Sequence, residues 1–170
     1  MLRPWAVGDV GVLRVAFMDP AIQLWNLEGE ISEEQAARLI TTWQVRWQLE
    51  SGASWAVTAG REVLGRVALR TVELGLGLGE VAYWVLPAAR GRGVAVRAVT
   101  ELARWAFDDL GLHRLELRHS TANPASCRVA VRSGFATEGL LRSSLRHADG
   151  WHDMHLHGLI HQPPHDGEDR

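Results

Sequence analysis

The 170-residue chain contains no lysine; all 18 of its positive side chains are arginine. Without a lysine amine no Schiff base forms, which excludes pyridoxal-phosphate and class I aldolase chemistry. A Walker A loop is excluded as well, because its phosphate-reaching lysine is missing. Cysteine is almost as scarce. Cys127 stands alone, so there is no disulfide framework, and a reducing compartment is expected. The opening MLRPWAVGDV lacks a long apolar run behind a basic start, so no signal peptide is expected. No stretch approaches the roughly 20 apolar residues that span a bilayer. The formal net charge is −2, which supplies no basic field for nucleic acid or an anionic membrane. These absences predict a cytoplasmic protein with neither nucleic acid nor membrane as a partner.

What remains is ordinary for a globular chain, with 46% hydrophobic and 22% charged residues. A domain of this length buries roughly 70% of its unfolded surface. One domain over residues 1–160 is expected, followed by a polar, fraying tail over 161–170 that contains paired prolines.

Asp9 is placed to cap a first helix running to about Met18, where Asp19-Pro20 interrupts it. A loop holding Asn26, Glu28, Gly29 and Glu30 is expected next. Ser32 and Gln35 then form a capping box ahead of a long helix, whose apolar face is Ala36, Leu39, Ile40, Trp43 and Trp47. Strands are expected from Trp55, Val63 and Glu80, the first two joined by a turn at Gly60-Arg61-Glu62. A helix follows Pro87 and reaches about Asp109, with Ala95, Val99, Leu102 and Ala106 on one face. Arg114 begins a strand. Asn123 begins a helix with Pro124 at its first position and Gly134 as its stop. Two last strands start at Phe135 and Trp151, with Asp149-Gly150 as the turn between them. This order predicts an α/β (α+β) fold, a mixed sheet with helices on both faces.

The segment from Arg90 to Ala95 carries the clearest chemistry. A strand stops, Gly91 and Gly93 let backbone approach a ligand closely, and a helix starts at once. The first N–H groups of a helix lack internal acceptors, and its dipole adds partial positive charge there. Such a turn seats a pyrophosphate, and Arg90 and Arg92 add charge at its mouth. Taken alone, RGRG describes solvated arginines beside a glycine turn equally well.

The surrounding sequence decides between them. Arg90-x-x-Gly93-x-Ala95 resembles the Q/R-x-x-G-x-G/A signature of the GNAT N-acetyltransferase superfamily and follows a strand reading EVAYWVLP. NPASCRVAVRSGF resembles the N-x-x-S segment of the RimJ/RimL-like branch, the ribosomal-protein alanine acetyltransferases and their relatives. EGLLR, DGWHDMHLHGLI and LRPWAVGDV resemble that branch's last two strands and its opening, with the first strand clipped short. The likeness covers Leu2 to about Ile160. It implies a mixed, mostly antiparallel sheet splayed at an acetyl-CoA site. It further implies that backbone amides across Arg90, Gly91, Arg92, Gly93, Val94 and Ala95 hold the CoA pyrophosphate. The main chain at Val85 would pair with the pantetheine arm like an added strand, and Asn123 and Ser126 would meet that arm near the thioester.

In this branch the serine matching Ser126 is a suspected general acid for the departing thiolate; Asn123 also reads as a helix cap. Acetyl transfer needs a neutral amine and a stabilised oxyanion. Glu80 is the candidate base, where some GNAT branches place a glutamate, although an exposed strand-start glutamate reads the same way. Tyr83 is a second candidate acid or oxyanion partner, or simply an inward core residue. Ala82 and Arg97 depart from the branch, which usually has Gly and often has Glu there, and neither is expected to touch the phosphate amides.

Direct transfer from acetyl-CoA to a primary amine, in a ternary complex, is therefore expected. The acceptor is a protein amino terminus or a small molecule. An antibiotic or polyamine acceptor, a succinyl-CoA donor and a non-catalytic acyl-CoA sensor are the alternatives, and a homodimer is left open. Trp25, Trp43 and Trp47 fall where GNAT folds line the acceptor pocket, with Glu28 and Glu30 to attract a cation; core filling accounts for Trp43 as well. His155 and His157 share a strand face with Asp153, as three metal ligands would. Yet that strand resembles one that binds no metal, and no metal is assigned. Cys127 reads as a small core residue rather than a nucleophile.

Overall fold

A computed structural model of the chain describes residues 1–27 and 29–162. Strand β1 (Leu2–Pro4) is as short as expected and is followed by helices α1 (Val10–Ala16), α2 (Pro20–Asn26) and α3 (Glu33–Gln48). Next come β2 (Ala53–Ala59), β3 (Glu62–Glu73), β4 (Leu78–Val85), α4 (Val94–Asp108), β5 (Arg114–Ser120), α5 (Pro124–Arg132), β6 (Ala136–His147) and β7 (Gly150–Ile160). The seven strands form one sheet in the order β1-β2-β3-β4-β5-β7-β6. Only β4 and β5 run parallel, joined by the α4 crossover.

Local chemistry explains most boundaries. Ser32 Oγ accepts from the Gln35 amide at 3.1 Å while Gln35 Oε1 accepts from the Ser32 amide at 2.7 Å, closing the expected capping box. The amino-terminal region differs from expectation. Asp19-Pro20 does not lead into a loop; Asp19 Oδ1 caps the Ile22 amide at 2.9 Å and Pro20 opens α2. Proline at a first helical position loses no hydrogen bond. Asp9 likewise does not cap α1. Its buried carboxylate takes both Arg3 guanidinium nitrogens at 2.7 Å and the Ala6 amide at 2.9 Å, tying β1 to the helix. The turn before β7 is Ala148-Asp149, one residue earlier than expected.

The sheet separates two cores. On one face α4 and α5 pack Val99, Leu102 and Ala130 against Val67, Val81, Leu115 and Leu117. On the other, α1, α2 and α3 pack Leu13, Ile22 and Ile40 against Trp5, Ala56 and Trp84. Trp43 joins this second core, its ring 5.4 Å from Trp5. Trp47 does not: it is 52% exposed and stacks on Trp105 at 5.9 Å outside. Ala95 also leaves the face expected of it, since the buried stripe of α4 runs through Val94, Ala98, Val99, Leu102 and Ala106.

Among the described residues, no helix is long and apolar enough to cross a membrane. The expected tail lies outside the described residues beyond Gln162. His161 is held, its amide donating to the His113 carbonyl at 2.8 Å and its ring stacked on Phe107.

Candidate active site

β4 and β5 are paired only from Leu78↔Arg114 to Val81↔Leu117. Beyond that point β4 stays with β3 through Val85, β5 stays with β7 through Ser120, and the two diverge. Among the described residues, the edge of β4 from Ala82 to Val85 therefore has no neighbouring strand on that side. Gly65 lets β3 press against this same segment; a Cβ there would meet the Trp84 carbonyl oxygen at 2.3 Å.

A cavity of about 630 Å³ spans the divergence. Val85, Arg90, Gly91, Gly93, Val94, Ala95, Asn123 and Ser126, all singled out from sequence, line it together with Glu80 and Tyr83. Arg92 does not; it borders a separate depression beside Trp47, Trp55 and Trp105.

At one end, Gly91 and Gly93 have φ of 73° and 70°, a left-handed backbone that favours glycine. They turn the chain so that α4 opens at Val94 with its first-turn N–H groups lacking intrahelical acceptors. The Arg90 amide already donates to the Pro87 carbonyl at 3.2 Å. The Arg90 side chain grips the Val85 carbonyl at 3.2 Å and Asp19 at 2.6 Å, which docks α2 against the turn. Burial pushes the Asp19 carboxyl up, but the Arg90 guanidinium and the α2 amides outweigh it and hold it below the usual range. Arg97 reaches this loop on its carbonyl side, its Nη1 donating to the Arg92 carbonyl at 3.0 Å.

At the other end, Asn123 Oδ1 caps α5 by accepting from the Ser126 amide at 3.1 Å. Ser126, almost buried, has its Oγ 2.8 Å from the Tyr83 hydroxyl. Burial pushes the Tyr83 phenol up to about 12, with the Ser126 bond pulling back, so it stays protonated at neutral pH. Strand alternation puts Glu80 on the opposite face of β4 from Tyr83. Tyr83 packs with the α4/α5 core and Trp84 with the α1–α3 core. The Glu80 carboxylate is 3.8 Å from Arg70.

Sequence reasoning missed His147. It is buried on the cavity wall at the end of β6. Its Nδ1 donates to the Leu24 carbonyl at 2.8 Å, leaving Nε2 buried beside Trp25 with no hydrogen-bond partner among the described residues. Next to it, Asp149 takes His152 Nε2 at 2.9 Å, and His152 Nδ1 is 2.6 Å from Ser120 Oγ. Trp25 itself lines the cavity; Glu28 lies outside the described residues. No short-range sequence pattern marks His147, since its partner Leu24 is 123 residues away.

The family described as the acetyltransferase (GNAT) domain matches residues 1–136. YoaA, an uncharacterized N-acetyltransferase of Bacillus subtilis (strain 168), is 25% identical over 144 residues, covering 84% of this chain and 81% of its own length. The ribosomal-protein-serine acetyltransferase of Escherichia coli (strain K12) is 27% identical over 99 residues, 58% of this chain and 55% of that protein. A solved ribosomal L7/L12 alpha-N-protein acetyltransferase, RimL, in complex with coenzyme A, has a TM-score of 0.85 at 18% identity. That likeness covers 94% of this chain and 92% of the other.

Proposed function

The chain belongs to the GNAT acetyltransferase family, with RimJ/RimL-like relatives, and from that premise we propose how its cleft transfers an acetyl group. The protein is an N-acetyltransferase that uses acetyl-CoA and an amine substrate. The pyrophosphate rests on the N–H groups of Gly91, Arg92, Gly93, Val94 and Ala95. Supporting this are the two left-handed glycines and the open first turn of α4. Arg90 shapes that seat by clamping Val85 and Asp19. The pantetheine arm runs along the edge of β4 from Ala82 to Val85 as an added strand, with Asn123 and Ser126 at its thioester end.

The acceptor amine enters from the face that holds Glu80, Trp25 and His147. Glu80 draws the ammonium group, and His147, whose Nε2 has no partner among the described residues, takes its proton. The amine nitrogen bonds the thioester carbon and the carbon–sulfur bond breaks. Sulfur leaves with its electron pair and takes a proton from Ser126 Oγ, which Tyr83 resupplies across their 2.8 Å bond, and the second proton shed by the attacking nitrogen returns through solvent water to Tyr83. No covalent enzyme intermediate is formed. The observation that carries this reading is the parting of β4 and β5 after Val81 and Leu117, which exposes one thioester position to groups on both faces of the sheet.

We assign the acceptor to protein amino termini, supported by the name of the Escherichia coli relative, and the compartment to the cytoplasm, supported by the single cysteine. A thiol-release screen tests the assignment, pairing acetyl-CoA or succinyl-CoA with serine- and alanine-headed peptides, polyamines and aminoglycosides. Turnover with acetyl-CoA and a peptide is expected. Turnover only with a small amine would overturn the acceptor, and tight CoA binding without any thiol release would make the protein a sensor.

A further inference from the structure

Three imidazoles and the chain's single thiol meet beneath α5, and of the four only His119 also lines the acetyl-transfer cavity. β5 and β7 are antiparallel neighbours in which His119 pairs with His155 and Leu117 with His157. By strand alternation the three histidines stand on one face, the face that α5 covers. Cys127 comes down from α5. One ligand atom from each of His119, Cys127, His155 and His157 lies within 4.8 Å of all the others.

Asp153, the third ligand that strand spacing alone would suggest, is elsewhere: its Oδ1 accepts from the Ser143 amide at 2.8 Å. His119 and Cys127 occupy the positions it does not.

We propose that His119, Cys127, His155 and His157 form a four-ligand site for a divalent transition ion of the zinc class, clamping α5 to β5 and β7. The hydrogen bonding fits this better than it fits simple packing. His119 Nδ1 donates to the Ser120 carbonyl at 2.8 Å, which leaves its Nε2 as a lone pair. That arrangement, one ring nitrogen on a carbonyl and the other presenting its lone pair, is how a metal-ligating histidine is oriented. His119 Nε2 faces His157 Nε2 at 3.0 Å, and the two rings stack 5.0 Å apart. Two nitrogens on a tetrahedral zinc, each at 2.0–2.1 Å from it, sit about 3.3 Å apart. A single shared proton would satisfy that pair. It would do nothing for His155, whose Nδ1 is buried without a hydrogen-bond partner among the described residues, or explain why the lone cysteine joins them.

Closing the shell requires the outermost atoms to draw in by about 1 Å from the 4.8 Å limit. Cys127 and His155, the two half-buried members, have the freedom to do so. Four protein ligands fill a tetrahedron and leave no open position, so the ion is structural and not a Lewis acid for the reaction. It holds Cys127, and with it the neighbouring Ser126, in register over the sheet.

Untagged full-length protein, reduced and treated with a chelator, is titrated with cobalt(II) as a spectroscopic stand-in for zinc. One equivalent is expected, with a thiolate-to-metal charge-transfer band that zinc abolishes by displacement. Cys127→Ser should remove the band. His155→Ala should weaken binding by at least about a hundredfold, the most that losing an outer-shell partner alone would cost. His161→Ala, outside the cluster, should bind as the parent does. Zinc should raise the melting temperature of the parent and of His161→Ala but of neither cluster variant, and melting of the metal-free variants shows that they fold. Absence of stoichiometric cobalt, cobalt bound without the band, or undiminished affinity in His155→Ala would each overturn the site.

Discussion

The Tyr83 hydroxyl lies 2.8 Å from Ser126 Oγ, so one hydrogen bond joins the diverging end of β4 to the first turn of α5. If this pair delivers the proton to the thiolate, Ser126→Ala should lower kcat by roughly a hundredfold, the lower end of what general-acid catalysis supplies. Tyr83→Phe should cost similarly, and the double variant should be little worse than either, because the two act as one unit. Isothermal titration should find CoA affinity nearly unchanged. An undiminished rate in Ser126→Ala removes that serine from the mechanism.

Glu80 and His147 are separable by kinetics. A group that only attracts the amine contributes uniform binding, so Glu80→Gln should raise the acceptor KM with kcat preserved. Loss of the base acts in the transition state, so His147→Gln should lower kcat by roughly a hundredfold at saturating amine. Reversed effects would exchange the two roles.

Gly65 is where β3 presses against the edge of β4 proposed to hold the cofactor. In Gly65→Ala the new methyl collides with the Trp84 carbonyl, a backbone atom that cannot step aside alone. Overpacking of this kind costs about 1–3 kcal/mol, and the displaced strand should also lose CoA affinity. Denaturant melts and CoA titration read the two effects. Loss of stability with intact affinity would show that the β4 edge does not hold the cofactor.

The Arg3–Asp9 pair should make stability depend on acid. Its hydrogen bonds to Arg3 outweigh burial and hold the Asp9 carboxyl below the usual carboxylate range. A carboxyl lowered in the folded state stabilises above the unfolded value, near 3.9, and that contribution disappears as pH falls through the lower folded value. Asp9→Asn should therefore cost about 1–3 kcal/mol at neutral pH, a gap that narrows in melts below roughly pH 4. A pH-independent gap would mean that shape, not charge, matters at this position.

Features written in adjacent residues were legible in the sequence. The Ser32–Gln35 box, the Asn123 cap and the glycine turn before α4 each depend on contacts within a few positions, and all three appear in the structure. Asp19-Pro20 does interrupt the first helix as its residues predict, but it also starts α2, a helix the local pattern did not announce and that Arg90 docks in place. Helical spacing put Trp47 on the buried face, but α3 ends beside it and the ring finds Trp55 and Trp105 outside the core. His119 and His155 are 36 positions apart and meet only through the β5–β7 register, while spacing along one strand pointed to Asp153 instead. Long-range pairing sets such meetings, and no local period encodes it.

From Ala82 to Val85, β4 has a strand on one side only among the described residues. A donor lying there becomes a temporary member of the sheet, stitching two half-sheets whose own chains never touch at that depth. Loading the protein should therefore slow amide exchange far from the thioester, along β3 and β5 as well as β4. Each turnover would end with the sheet reopening along that seam, so release of spent CoA is also a small unfastening of the fold.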